Sequence, residues 1–547
     1  MAFNPSGISA DYHWLCEVYL DSTTWRFADE DLSIMSGSNT GFFYEGRLPA
    51  SSVIVRRLGS FLQPKEIIDT FAVRLDNRDG LMGSRMLDAT LANRSACVFL
   101  GQGRDKTDYS TAFPGQILFP NGWSFTEGGE AELLLSDRRL LDRTILPPAE
   151  KVYSKERYPN IETKSQGTPE SLLFGNWSSA SASGATVPCV CIDTTVPTFQ
   201  IASHGVSAVD RILKNASILD AVGNIANLNI TAATFDLIGA LYDATTDIVS
   251  VNCQGIKTIN GTTIEKPADV LKHLQTGYQN LTTDNLFLTA YNTVNTRTGS
   301  DTVRRRIDAR INTETLIGEL LNEASIDLRF VGNKYAPKYR DLDFDVDVPL
   351  FDETDILLSG TEQHAPAVRT VPDPERYFAN KITARYQYAP VDALYISNYA
   401  TTDTASVANV SGTVEREMDF NWYYQKADVE ARIDRELNLF STEPIAIDVE
   451  VANRGLLRNL ADQFKLTTGP YVERTLQIRQ MEIDLGAMTA RLRGFDIFKA
   501  SYGRWTIDGA PTYSDASAAQ RISQGFWTDA AGLANSGDAD SGISKWF

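Results

Sequence analysis

Residues 41–80, GFFYEGRLPASSVIVRRLGSFLQPKEIIDTFAVRLDNRDG, decide how the rest of the chain is read. Phe42-Phe43-Tyr44 leads into Glu45-Gly46-Arg47-Leu48, and Val53-Ile54-Val55 is a β-branched run closing on Arg56 and Arg57. After a Gly/Pro break, Phe71, Val73 and Leu75 alternate with Ala72, Arg74 and Asp76, which predicts a strand with one apolar and one polar face. Asn77, Arg78, Asp79 and Gly80 predict a turn, because Asn, Asp and Gly accept the positive φ of tight turns. The stretch therefore predicts a β-rich module with a polar rim and no catalytic group.

Outward from it, residues 1–150 read as a β domain, with strands expected near 16–20, 53–57, 71–76, 96–101, 115–119 and 132–136. Residues 151–229 read as a connector with short strands, its first part rich in Ser, Gly, Pro and Lys. Residues 230–370 change to a mixed α+β pattern. Pro267 suits the first turn of a helix, with Val270, Leu271, Leu274 and Tyr278 on one face. Asn312 or Thr313 can cap a second helix, whose apolar stripe is Leu316, Ile317, Leu320, Leu321 and Ala324. Ile326, Leu328 and Phe330 alternate as a strand that Gly332-Asn333 turns back toward Lys334 and Tyr335. Beyond Pro372-Asp373-Pro374 a second β-rich domain spans 371–500, interrupted by a helix with Val429, Ile433, Leu437 and Phe440 at helical spacing. Residues 501–547 are rich in Gly, Ser, Asp and Ala, with Trp505, Trp527, Trp546 and Phe547 spaced through them; such a segment reads as an extended arm whose aromatics dock on a partner.

A chain of 547 residues exceeds the size of one growing core, so several domains of roughly 100–200 residues are expected. Its 43% hydrophobic and 22% charged content is that of a folded chain. It holds no long apolar run that could span a membrane, and MAFNPSGISADYHW shows no basic segment followed by an apolar one, so neither membrane insertion nor signal-directed export is expected. A net charge of -19 opposes nonspecific binding to phosphate backbones despite the local run Arg304-Arg305-Arg306.

The five cysteines, Cys16, Cys97, Cys189, Cys191 and Cys253, form no disulfide framework. Cys189 and Cys191 share one face of a strand, but no second pair completes a metal site, so buried free thiols are expected. Asp341, Asp343, Asp345 and Asp347 share a strand face and read as a solvated edge or, alternatively, a cation site. Val346 stands where a Ca²⁺ loop of the EF-hand type needs Gly. Gly101-Gln102-Gly103-Arg104-Asp105-Lys106-Thr107 lacks phosphate-loop spacing, and His13, His204, His273 and His364 have no motif-placed partners. His204 reads as a turn histidine. No enzyme is expected, and no metal or other cofactor.

The opening stretch also carries a resemblance. An F-F/Y-x-x-R segment followed by a β run and a strand ending in L-x-N-x-D-G, here Phe43, Tyr44, Arg47, Leu75, Asn77, Asp79 and Gly80, resembles the start of tail-tip or baseplate hub proteins of long-tailed, siphovirus-like bacteriophages and gene-transfer agents. Further matches follow in the family's order. They are Phe113-Pro114-Gly115-Gln116-Ile117 with Leu133-Leu134-Leu135-Ser136-Asp137-Arg138, then Thr168-Pro169 to Gly175, then the strands near Val187 and Phe199. Arg458 to Leu466 resembles a later strand motif, with Ala461 in place of its glycine, and F-W-T-D-x-x-G with S-K-W-F resembles the tails of related proteins.

The resemblance implies a mainly β, multidomain fold with two β-barrel-like hub domains, an α+β insert and a docking arm. It implies a homotrimer closing the tail tube at the distal end of the virion, assembled in the host cytoplasm. Its partners would be the distal tail protein, the tape-measure protein, and the central fibre and receptor-binding proteins, with DNA passing transiently through the lumen. Some relatives carry an iron-sulfur cluster on C-terminal cysteines; this chain has none after Cys253, so that cofactor is not carried over. An alternative from another class is a carbohydrate-binding adhesin or receptor-binding tail protein.

Overall fold

The computed structural model describes residues 12–496 apart from several stretches, among them 103–115, 341–347 and 358–367. The fold is mainly β, in several sheets, with helices concentrated in the middle of the chain. The first sheet has eight strands in the order Leu32–Ser33, Phe43–Gly46, Thr24–Ala28, Tyr12–Tyr19, Ser95–Gln102, Gln116–Phe125, Glu130–Asp137 and Phe71–Asp76. Alternation sorts its faces: Trp14, Cys16 and Val18 enter the large core, while Leu15 faces a small cluster with Tyr44 and Cys97. The strand read from Phe71, Val73 and Leu75 pairs in register with Leu135, Leu133 and Ala131.

The second sheet also has eight strands, but they come from distant parts of the chain. Gln463–Thr468, Tyr471–Asp484, Thr489–Phe495 and Ile445–Val451 form its body, flanked by Leu350–Phe351 and Val368–Pro372. Val53–Leu58 then pairs antiparallel with Tyr471–Asp484, placing Ile54 opposite Ile483 and Arg56 opposite Met481. Glu66–Ile68 extends the sheet from there. Residues 41–80 thus leave the first sheet, supply two strands to the second, and return. One hydrophobic core serves both sheets, from Trp14, Phe71 and Leu133 to Phe464, Met481 and Leu492.

No strand ladder closes the first sheet into a barrel among the described residues. Its two ends approach each other at Arg47 instead, where the Arg47 carbonyl accepts the Asp76 N–H at 2.8 Å and Arg47 Nη1 donates to the Asp76 carbonyl at 2.8 Å.

Residues 172–254 hold a compact β unit with its own core. Val249–Gln254 pairs with Ala208–Lys214, Asn176–Trp177 and Val187–Pro188, and a four-stranded sheet of Val190–Asp193, Thr198–Gln200, Thr234–Leu237 and Ile225–Asn229 packs with it around Phe199, Phe235, Cys191 and Cys253. Of the short strands between 151 and 229, Asn176–Trp177, Val187–Pro188 and Ala208–Lys214 are gathered by long-range pairing with Val249–Gln254.

The third core belongs to the helical middle. Helix Pro267–Tyr278 begins at Pro267 as expected, and Thr313–Glu323 is capped by Asn312, whose side chain accepts the Glu314 N–H at 2.9 Å. Both helices and Leu288–Arg297 pack with the hairpin Ile326–Val331/Lys334–Tyr339. Lys381–Ala389, helix Lys426–Phe440 and the segment that follows strand Glu415–Asp419 bury Ile382, Ala384, Val429, Ile433, Phe420 and Trp422 in this same core.

Replacing Arg47 with Ala removes the side-chain link between the two ends of the first sheet. Loss of its charge-assisted bonds is expected to lower stability by about 2 kcal/mol, read from urea denaturation, with Arg47→Lys losing less.

Candidate functional site

Four residues of the opening stretch, Arg47, Asn77, Asp79 and Gly80, lie together. Arg47 donates to both carboxylate oxygens of Asp79, at 2.7 and 3.2 Å, and through Nε to Glu45 at 2.8 Å. Arg85 reaches the other oxygen of Glu45 at 2.6 Å. Burial opposes ionisation of Glu45, but the Arg47 and Arg85 hydrogen bonds hold its carboxyl below its ordinary value. Asn77 caps the helix that follows: its side-chain oxygen accepts the N–H groups of Met82 and Gly83, and Asp79 accepts that of Leu81. Gly80, at φ 73°, makes the turn into that helix, Leu81–Asp88. The sequence read these residues as a turn; the helix beyond it is an addition of the structure.

A second cluster joins the cores. Asp327, fully buried, accepts from Arg479 Nη1 at 2.8 Å and Arg340 Nη2 at 3.3 Å, while Arg340 Nη1 lies 3.4 Å from Glu436. Arg479 Nη2 also donates to the Gly59 carbonyl at 2.8 Å. Beside it, Glu66 pairs with buried Arg56 at 3.0 Å and accepts the Phe330 N–H at 2.6 Å, and Arg56 donates to the Phe330 carbonyl. Burial works against an ionised Asp327, yet the two arginines hold its carboxyl below the ordinary range. Asp327 sits in the Ile326/Leu328/Phe330 strand at a position that alternation assigns to water. The strand is covered on both faces, so its polar positions became an ionic junction.

The landmark ending at Gly175 has a steric reason. Gly175 has φ 77°, and a Cβ there would lie 2.0 Å from the Val303 carbonyl. Its strand, Leu172–Phe174, pairs with Arg305–Ile307. Glu323, fully buried, accepts the N–H groups of Asn421, Trp422 and Tyr423 and so holds that loop; burial pushes its carboxyl up to about 8 against the pull of those amides.

His204 is half-buried and bonded at both ring nitrogens. Its Nε2 accepts the Leu173 N–H at 2.9 Å and its Nδ1 donates to the Gly205 carbonyl at 2.8 Å, an arrangement that requires the neutral ring. Cys16, Cys97, Cys191 and Cys253 are buried, and none of the five cysteines is in a disulfide. Burial pushes the Cys191 thiol up to about 12. Among the described residues no group of three or more His, Cys, Asp or Glu is placed to hold a metal, and no helix is long and apolar enough to cross a membrane. Trp505, Trp527, Trp546 and Phe547, the aspartates Asp341, Asp343, Asp345 and Asp347, and His364 lie outside the described residues. Exposed aliphatics gather on the small β unit, with Val196, Ile218, Leu228, Ile230, Ile238 and Ile248 all presented to solvent.

No family model matches the sequence, and no curated protein matches it. Solved structures are similar to it at low identity. One is a protein in the virion of a native gene transfer agent particle, at 12% identity over 62% of this chain and 86% of that one, with a TM-score of 0.40. Another is the prophage tail protein gp18 from Listeria monocytogenes EGD-e, at 7% identity over 89% and 95%, with a TM-score of 0.39. A third is the tail protein from Neisseria meningitidis MC58, at 8% identity over 88% and 96%, with a TM-score of 0.39.

Two outcomes are expected. Asp327→Ala strands two buried arginines and is expected to cost about 3–5 kcal/mol in chemical denaturation. Burial lowers the His204 pKa below 6.5, so above that pH the ring is neutral in folded and unfolded chains alike. As pH falls below 6.5 the unfolded chain takes up the proton first and stability drops until the folded ring also protonates. Melting curves from pH 7.5 to 5 should therefore fall less steeply for His204→Gln than for the parent chain, and parallel curves would refute this role.

Proposed function

We propose that this chain is a structural protein of a phage virion, the hub of the tip or baseplate of a long, non-contractile tail. The observation that carries the reading is the pair of eight-stranded sheets built around one shared core and laced together by residues 41–80. A chain that presents two β units side by side gives a homotrimer a pseudo-sixfold ring, the symmetry needed to mate with a sixfold tube. The ordered motifs support it, since Arg47, Asn77, Asp79 and Gly80 are the residues that tie and turn the first sheet.

In this role the protein closes the tail tube and joins the distal tail protein above it to the central fibre and receptor-binding proteins below. The tape-measure protein ends within the ring, and receptor contact opens it for DNA. The acidic balance of the chain suits a lumen through which DNA must pass without sticking. Trp505, Trp527, Trp546 and Phe547 serve as anchors on a neighbouring subunit or fibre. The function is mechanical and not enzymatic.

Immunogold electron microscopy of purified virions, with an antibody raised against residues 230–370, tests the placement. Gold confined to the distal end of the tail tube is expected. Label on peripheral fibres would move the protein to receptor binding, and unlabelled particles would remove it from the virion.

A further inference from the structure

The run Arg304-Arg305-Arg306 lines a cleft of about 220 Å³ where three parts of the chain meet. Trp177 comes from the small β unit, the arginines and Asp308 from the middle, and Tyr388, Asn421, Tyr423 and Tyr424 from the segment after residue 380. Arg304 is buried with its guanidinium between two rings, 4.6 Å from the centroid of Trp177 and 4.3 Å from that of Tyr424. Stacking of this kind fixes the plane of the cation and directs its N–H groups outward along the edge. Arg305 is 2.7 Å from Glu319, and Arg306 is 2.9 Å from Asp308. The Arg306 Nε is buried and has no hydrogen-bond acceptor among the described residues. Asp308 is half exposed, so the carboxylate that Arg306 now holds is open to competition.

We propose that this cleft receives one acidic side chain from a second copy of the chain. The size suits a single side chain, and preformed, partly desolvated arginines bind carboxylates in a planar, bidentate manner that lysines do not. Charge complementarity selects the occupant: the chain carries 70 Asp and Glu against 51 Lys and Arg, so a second copy brings carboxylates in excess to a site that concentrates three arginines. An incoming carboxylate displaces Asp308 from Arg306 and bridges elements from all three parts, coupling assembly to the rigidity of the junction. The proposal rests on the ring assembly given above and adds to it the contact that links the copies.

Sedimentation velocity over a concentration series, on the full chain, is the test. Arg306→Gln removes the receiving cation and should weaken self-association about tenfold, the scale of one charge-assisted hydrogen bond. Asp308→Asn removes the resident competitor and should strengthen it severalfold. Melting temperatures of both variants show that each is folded. If the parent chain associates and the two substitutions change nothing, or shift association in the same direction, the cleft contact is wrong while the ring reading stands. A parent chain that stays monomeric throughout removes both. Calorimetric binding of galacturonate at the cleft, abolished by Arg306→Gln with association untouched, would assign the site to an acidic sugar and overturn the proposal.

Discussion

The structure depends on Arg47. A sheet of eight strands twists until its ends approach, and without either a closing ladder or a tie those ends would present unpaired backbone groups. Arg47 supplies the tie with its carbonyl to Asp76 and its guanidinium to Asp76 and Asp79, while Glu45, itself held by Arg85, accepts from the guanidinium on the other side. Arginine suits this position because one planar fork can satisfy a carbonyl and two carboxylates at once. Immediately beyond it, the chain crosses to the second sheet, so fixing Arg47 also fixes where Val53–Leu58 leaves the first sheet.

The second requirement is to hold the large core and the helical core together. Apolar burial makes each core but does not specify how they sit against one another, since hydrophobic contact is non-directional. The buried ions add direction. Asp327, Arg340, Arg479 and Glu436 come from a middle strand, the end of the hairpin, the second sheet and the last long helix, and each satisfies the charge of another. Such a network is costly to bury and costly to break, which makes the arrangement of the cores cooperative. The small β unit, with its exposed aliphatics, offers surface for neighbours.

Much of the local structure was legible in the chain. Phe71–Asp76 matches its alternation, Pro267 and Asn312 start the helices they were expected to start, and the Asn77–Gly80 turn is where its residue types place it. These features depend on neighbours within a few positions. The helix Leu81–Asp88 escaped notice because its cap is Asn77, outside the turn's usual reading as a link between strands. Burial of Asp327 and Glu323 is not legible in the chain, because a pattern of period two or 3.6 assumes that one face meets water.

What the sequence determined by itself is which segments become strands, helices and turns, through periodicity, caps and positive-φ residues, together with a mainly β class and an acidic balance. What the tertiary structure decided is which strands share a sheet. Val53–Leu58 lies beside Tyr471–Asp484, and Arg304 lies between Trp177 and Tyr424, because side chains far apart in the chain found common burial and paired charge. Those choices rest on contacts across hundreds of residues, and no local pattern encodes them.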